Sequence, residues 1–353
     1  MVHVTREDVV LFQLVRHNRL MTSQQLYAAA GGDRNLRAFT HRLALLFHAG
    51  YLDRPRLQVR PGEPARPFVY ALGPRGWDTL DVEDGVTRRS RRDRRMENQR
   101  LKQMAIDHDV AVTETVLAFQ LAAIRRGWSC TATNGDAFRR QSGLPRRVKI
   151  RSRDDVSGTL PLNPDAYLRL TDEAGATRSY FLEVDLATEP QVRRSLRVSS
   201  ILQKLYAYWE VFRWQRGFAQ NALFVTTTPT RLENMIAVSR AIDPKGSGSA
   251  FFHFALLADC TVADPDRVLD GHVWRSAHVA HENPRALLLP SCEGCGGFVD
   301  PANDLHVIVN GATPLTLAPA STLLPDLLPD DRPRYAHVRC HTQQPLEEKT
   351  WPA

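Results

Sequence analysis

Between residues 81 and 95 the chain reads DVEDGVTRRSRRDRR, with six arginines after position 87 and almost nothing apolar. A segment of that composition cannot bury enough surface to offset the entropy of ordering it. It marks a boundary, and each side must then supply its own core. The chain, at 353 residues, is long enough for that. Apolar residues make up 43% and charged residues 24%, the balance of a globular protein. The expected organisation is residues 1–80, a basic connector at 81–96, a domain at 97–285 and a tail at 286–353.

In the first segment Val9, Leu11, Phe12, Val15 and Leu20 recur close to the helical period. Thr22 or Ser23 can cap a second helix, and Asn35 a third that carries Phe39, Leu43 and Leu46 on one stripe. Gly50 stops it. Extended runs at 51–59 and 67–72 flank the turn RPGEPAR, and a short helix follows. Three helices and a two-stranded wing predict a winged helix-turn-helix. Its third helix would lie in the major groove of double-stranded DNA, with Arg37, Thr40 and His41 on the face away from the core. Arg54, Arg56, Arg60 and Arg66 on the wing suit phosphates. A winged helix used for protein contact is the alternative.

The net charge of +7 fits a polyanionic partner. No apolar run approaches the ~20 residues that span a bilayer. The start MVHVTREDVV lacks the pattern of a signal peptide. The expected location is the cytoplasm, with reduced cysteines.

Beyond the connector a long helical pattern runs from about 97 to 126, with Leu101, Met104, Val112, Val116, Leu117 and Leu121 on its stripe. It offers a surface for a homodimer. The segments WSCTAT, RRVKI, NPDAYLRL, RSYFLEVDL, ALFVTTT and FFHFALL read as strands, and residues 191–216 and 231–242 as helices. The order α-β-β-β-α-β-α-β predicts an α/β layer, so the whole is a multidomain α+β and α/β protein. The part after about residue 292 is Pro-rich and reads as loop.

In order along residues 5–215, the segments LFHAGYLDR, FVYALGPRGWDTL, HDVAVTETVLAF, PDAYLRL, FLEVDLATE and KLYAYW resemble the replication-relaxation family of plasmids and integrative elements. The resemblance implies DNA binding and a part in mobile-element replication or transfer.

Read by themselves, Glu183 and Asp185 stand two apart on one strand and project from one face, with Asp165 near the start of the strand before. Carboxylates converging this way repel one another unless paired or bound to a hard cation such as Mg²⁺ or Mn²⁺. The arrangement resembles PD-(D/E)XK nucleases, with Pro164-Asp165 and Glu183 as the acidic elements. That pattern wants a lysine at position 185, where this chain has Asp185. Lys204, one helical turn from Tyr208, can replace it from the next helix, and Glu114 can add a ligand. In the structural alternative Asp165 caps a turn, and Glu183 and Asp185 pair with Arg193 or Lys204.

Near the end, Cys292 and Cys295 form a C-x-x-C turn and His337 and Cys340 a second pair. Together they make a Cys3His set that would bind a structural zinc, with His341 competing. Two unrelated thiol-bearing turns are the alternative. The functional readings are three: a DNA-binding protein of a mobile element, a metal-dependent endonuclease, and a winged-helix transcriptional regulator.

Overall fold

The computed structural model describes residues 2–32, 35–56, 66–84, 96–150, 158–173, 175, 177–192, 200–214, 221–242, 251–277, 305–308 and 334–337. Met1–Pro284 forms one compact unit and Arg285–Ala353 a second. The architecture mixes helices with antiparallel and mixed sheets.

The N-terminal part holds α1 (Arg6–Asn18), β1 (Met21–Thr22), α2 (Ser23–Ala29), α3 (Leu36–His48), β2 (Leu52–Asp53), β3 (Val69–Leu72) and α4 (Pro74–Asp84). Local chemistry places the helix starts. The Thr5 and Asp8 side chains bond each other's backbone amides in a capping box, and Thr22 and Gln25 do the same for α2. The Asn35 side chain accepts from Ala38 N–H at the head of α3. Gly50 follows α3 at φ +79°, a conformation that costs glycine little. The strands pair antiparallel in the order β1-β3-β2. Phe12, Val15, Met21, Leu26, Leu43, Leu46 and Tyr70 make their core. Asp8 is buried, and Arg42 bonds it from α3, so an ion pair fixes the first helix on the third.

The helix α4 runs into the segment expected to be connector, through Asp84. Pro74 opens it and Leu80 is buried in the core, which anchors the first turns. The long helical pattern is also broken. A single helical turn at 96–99 precedes α5 (Gln103–Arg125). Met104 is exposed, and the stripe buries Ile106, Ala111, Val116, Leu117 and Phe119 instead.

The helix α5 rejoins what the connector separates in sequence. Leu117 is part of the N-terminal core. The Thr113 hydroxyl donates to Leu20 O (3.0 Å) and Gln25 Nε2 donates to Val110 O (3.0 Å). Of the apolar stripe, Val116 and Leu117 are buried, Leu101, Val112 and Leu121 half-buried and Met104 exposed.

Next come β4 (Ser129–Asn134), α6 (Gly135–Ser142), β5 (Arg147–Lys149), β6 (Thr159–Pro161), β7 (Ala166–Thr171), β8 (Thr177–Asp185), α7 (Ile201–Trp214), β9 (Asn221–Thr226), α8 (Pro229–Ile242), β10 (Phe252–Leu256), α9 (Arg267–Asp270) and β11 (Arg275–Ser276). A six-stranded sheet has the order β11-β10-β9-β8-β7-β4. β8, β9 and β10 are parallel, and the flanking pairs are antiparallel. Two successive crossovers stepping the same way put α7 and α8 on one face. Phe181, Phe224, Phe252, Tyr208 and Phe212 fill that face, and the hairpin β5–β6 adds Val148 and Leu160.

In the second unit β12 (Leu305–Ile308) pairs antiparallel with β13 (Arg334–His337). The tail was expected to be loop. Its strands are too short, and too far apart in sequence, to show as a hairpin.

Candidate functional site

Strand register builds the acidic pair. β7 and β8 are antiparallel with Ala166 opposite Leu182, so Asp165 falls beside Glu183. Two bonds hold Asp165 there: its amide donates to Leu182 O (3.0 Å), and Val184 N–H donates to its Oδ2 (2.8 Å). Gly135 guards the approach. A Cβ at this position would lie 1.7 Å from Pro164 O, so only glycine lets α6 start against the segment that delivers Asp165.

Alternation along β8 turns Phe181, Glu183 and Asp185 toward the α7 and α8 face. On α7, Lys204 and Tyr208 lie one turn apart and reach the same carboxylate. Lys204 Nζ donates to Glu183 Oε2 (2.9 Å) and the Tyr208 hydroxyl donates to Oε1 (2.6 Å). Glu183 and Tyr208 are buried. Burial pushes the Glu183 carboxyl up to about 7, helped by Asp165 and opposed by the Lys204 charge and the Tyr208 hydrogen bond. Burial opposes the Lys204 ammonium, but Glu183, Asp165 and Glu189 more than offset it and hold the amine protonated. Burial and the Glu183 charge also raise the Tyr208 phenol.

Sequence reasoning missed His108, which sits on α5. Its Nε2 lies 3.3 Å from Asp165 Oδ2 and its Nδ1 3.8 Å from Asp109 Oδ1. Bonds to Asp109 and Asp165 outweigh burial and push the imidazole up to about 10, so it is cationic at neutral pH. The only sequence signal was its place in HDVAVTETVLAF, and a lone histidine there reads as packed or exposed.

Asp185 was expected to join Asp165 and Glu183. The structure gives it a partner of its own. Arg231 near the start of α8 grips it as a fork, Nε to Oδ2 at 2.6 Å and Nη2 to Oδ1 at 2.9 Å. The Thr226 hydroxyl also donates to Oδ2 (2.9 Å). Glu114, the further candidate ligand, accepts from Gln25 Nε2 (2.7 Å) and Val262 N–H (2.9 Å). It joins α2 to the loop that follows β10. Arg193, a candidate partner for these acids, lies outside the described residues.

Each acid of the expected set thus has an internal cation: His108 at Asp165, Lys204 at Glu183, Arg231 at Asp185. Among the described residues, no group of three or more His, Cys, Asp or Glu side chains could hold a metal ion. A Mg²⁺ or Mn²⁺ ion at Asp165 and Glu183 would share their oxygens with His108 and Lys204.

On α3 the stripe Phe39, Leu43 and Leu46 is buried, which leaves Arg37 and His41 exposed and Thr40 half-buried. The Thr40 hydroxyl donates to Leu36 O. Neither Arg37 nor His41 is covered among the described residues. Arg56 and Arg66 are also exposed, with Arg66 4.0 Å from Asp107. Arg54 is used internally. Its guanidinium lies 4.4, 4.1 and 4.9 Å from the ring centres of Phe47, Phe68 and Tyr70, and donates to the Tyr70 hydroxyl (2.7 Å). It packs the base of the hairpin instead of reaching outward. Arg60 lies outside the described residues.

So do Cys292, Cys295, Cys340 and His341. His337 ends β13. Of the described cysteines, Cys260 is buried and Cys130 partly so.

No helix among the described residues is long and apolar enough to cross a membrane. No curated protein and no solved structure matches the chain. One family model, Replication-relaxation, matches residues 12–227. That span takes in the N-terminal helices and sheet, α5, the β7–β8 pair with Asp165 and Glu183, and α7 with Lys204 and Tyr208. The chain belongs to the replication-relaxation family.

Proposed function

We propose that this protein binds double-stranded DNA of a plasmid or other mobile element and acts in its replication, relaxation or transfer. In this reading the N-terminal part is a winged helix-turn-helix, with α3 as the recognition helix and β2–β3 as the wing. Arg37 and His41 would meet base edges or phosphates in the major groove, with Thr40 between them, and Arg56 and Arg66 would meet the flanking backbone. One observation carries it. The face of α3 opposite its buried stripe bears Arg37 and His41 and lies open, while the third helix's other cation, Arg42, is tied to Asp8. Arg60 would extend the wing contacts, and Cys292, Cys295, His337 and Cys340 would staple the tail around zinc.

The test is equilibrium binding of the full chain to a labelled duplex. Arg37→Ala with His41→Ala is expected to weaken binding by about 10–100-fold, as loss of one or two groove contacts implies. An unchanged affinity would contradict the proposal. Repression of a reporter by the wild type would point to a regulator.

The PD-(D/E)XK-like layer is read as a DNA-binding or scaffolding element, because its acids already carry internal cations. With Mg²⁺ or Mn²⁺ the wild type is expected to leave supercoiled and linear plasmid intact on gels. Cleavage that disappears in Glu183→Ala would instead establish an endonuclease.

A further inference from the structure

Residues 136–149, DAFRRQSGLPRRVK, carry five basic side chains against one acidic. The acid, Asp136, is satisfied by Arg139 at 2.7 Å. Burial sorts the rest. Phe138, Leu144 and Val148 enter the main core, while Arg140, Arg146, Arg147 and Lys149 are exposed. Arg147 is steadied by Thr159, to which Nε and Nη2 donate at 2.8 Å each. Arg140, Arg146 and Lys149 are paired with no acid among the described residues.

This basic face is clamped to the chain that delivers Asp165. Arg139 Nη1 donates to Asn163 Oδ1 (3.2 Å), Leu162 N–H to Arg146 O (3.1 Å) and Gly135 N–H to Asp165 O (3.4 Å). The charges therefore stand on elements tied to the segment that leads to Asp165, with their apolar sides fixed in the core. Exposed charges on a face anchored in the core, with no acid partner among the described residues, match a repeating polyanion better than a protein surface.

We propose that the outward side of α6, the turn after it and β5 is a second phosphate-binding surface, where the backbone of duplex DNA lies along the elements that abut the segment leading to Asp165. The identity of the polyanion rests on the function proposed above. The surface shares no residue with α3, so the two fail separately.

The test is a salt titration of full-chain binding to a fluorescent duplex. Each phosphate contact contributes about −0.9 to the slope of log affinity against log salt. Arg140→Ala, Arg146→Ala and Lys149→Ala together are expected to make the slope shallower by about 2–3 and to weaken low-salt binding by about tenfold or more. Arg140→Lys with Arg146→Lys is expected to keep the wild-type slope, because phosphate accepts a point charge. Should the triple variant not fold, Arg140→Glu and Lys149→Glu alone are each expected to weaken binding. A folded triple variant with the wild-type slope and affinity overturns the proposal. If Arg37→Ala with His41→Ala changes nothing while the triple variant loses affinity, this surface stands and the role of α3 fails.

Discussion

Arg231→Met is expected to destabilise the protein by about 3–5 kcal/mol at neutral pH, the usual result of breaking a buried ion pair from one side. Asp185 is 6% exposed and both its oxygens are taken, by the Arg231 fork and by Thr226. Methionine keeps the aliphatic bulk of the arginine and removes the charge, so the Asp185 carboxylate is left desolvated with one hydroxyl donor. Arg231 also donates to Glu189 O, and that bond goes too. Urea unfolding measures the loss as a lower midpoint at an unchanged slope. Adding Asp185→Asn should restore most of the stability, because the penalty is the orphaned charge and not the missing contact. If the double variant stays as unstable as the single, the pair is not the cause.

Lys204→Met is expected to cost about 1–1.5 kcal/mol more at pH 8 than at pH 5. Burial already holds the Glu183 carboxyl up at about 7, and Lys204 is the largest influence pulling it down. Without the ammonium the folded-state value rises further above the ordinary 4.5. A folded state that holds its proton more tightly than the unfolded state has that contribution in full below about 4.5, and loses it as pH rises through the folded value. At pH 5 the neutral carboxyl still bonds the Tyr208 hydroxyl, so the variant is close to wild type. Thermal melts from pH 5 to pH 8 check this. A destabilisation independent of pH would mean that Glu183 is not the group affected.

Much of the fold was legible in the sequence because its signals are local. Thr22 and Asn35 cap the helices expected of them, and the stripe Phe39, Leu43 and Leu46 is the buried one. The strand segments around Asp165 and Glu183 and the helix of Lys204 and Tyr208 could be read the same way. α6 was missed because eight residues with one large core side chain, Phe138, are too few to establish a period. The end of α4 and the break before α5 escaped for a related reason. Charged segments give composition but no register.

In the candidate site, Lys204 was found because it shares a helix face with Tyr208 after a strand bearing Glu183. Arg231 was not, since it lies 46 residues from Asp185 and meets it only through the crossover into α8. His108 reaches Asp165 from a different element again. Arg54 looked like a phosphate ligand by charge alone, but Phe47, Phe68 and Tyr70 enclose it. Contacts of this kind depend on tertiary placement, which no spacing rule encodes.

The central claim is that the open face of α3 and its neighbouring arginines lie along DNA. The most direct measurement is the affinity of the full chain for a duplex across a range of salt. A straight fall of log affinity with log salt is expected, with a slope of about −3 or steeper from three or more phosphate contacts. Absence of binding at low salt, or binding indifferent to salt, would contradict it.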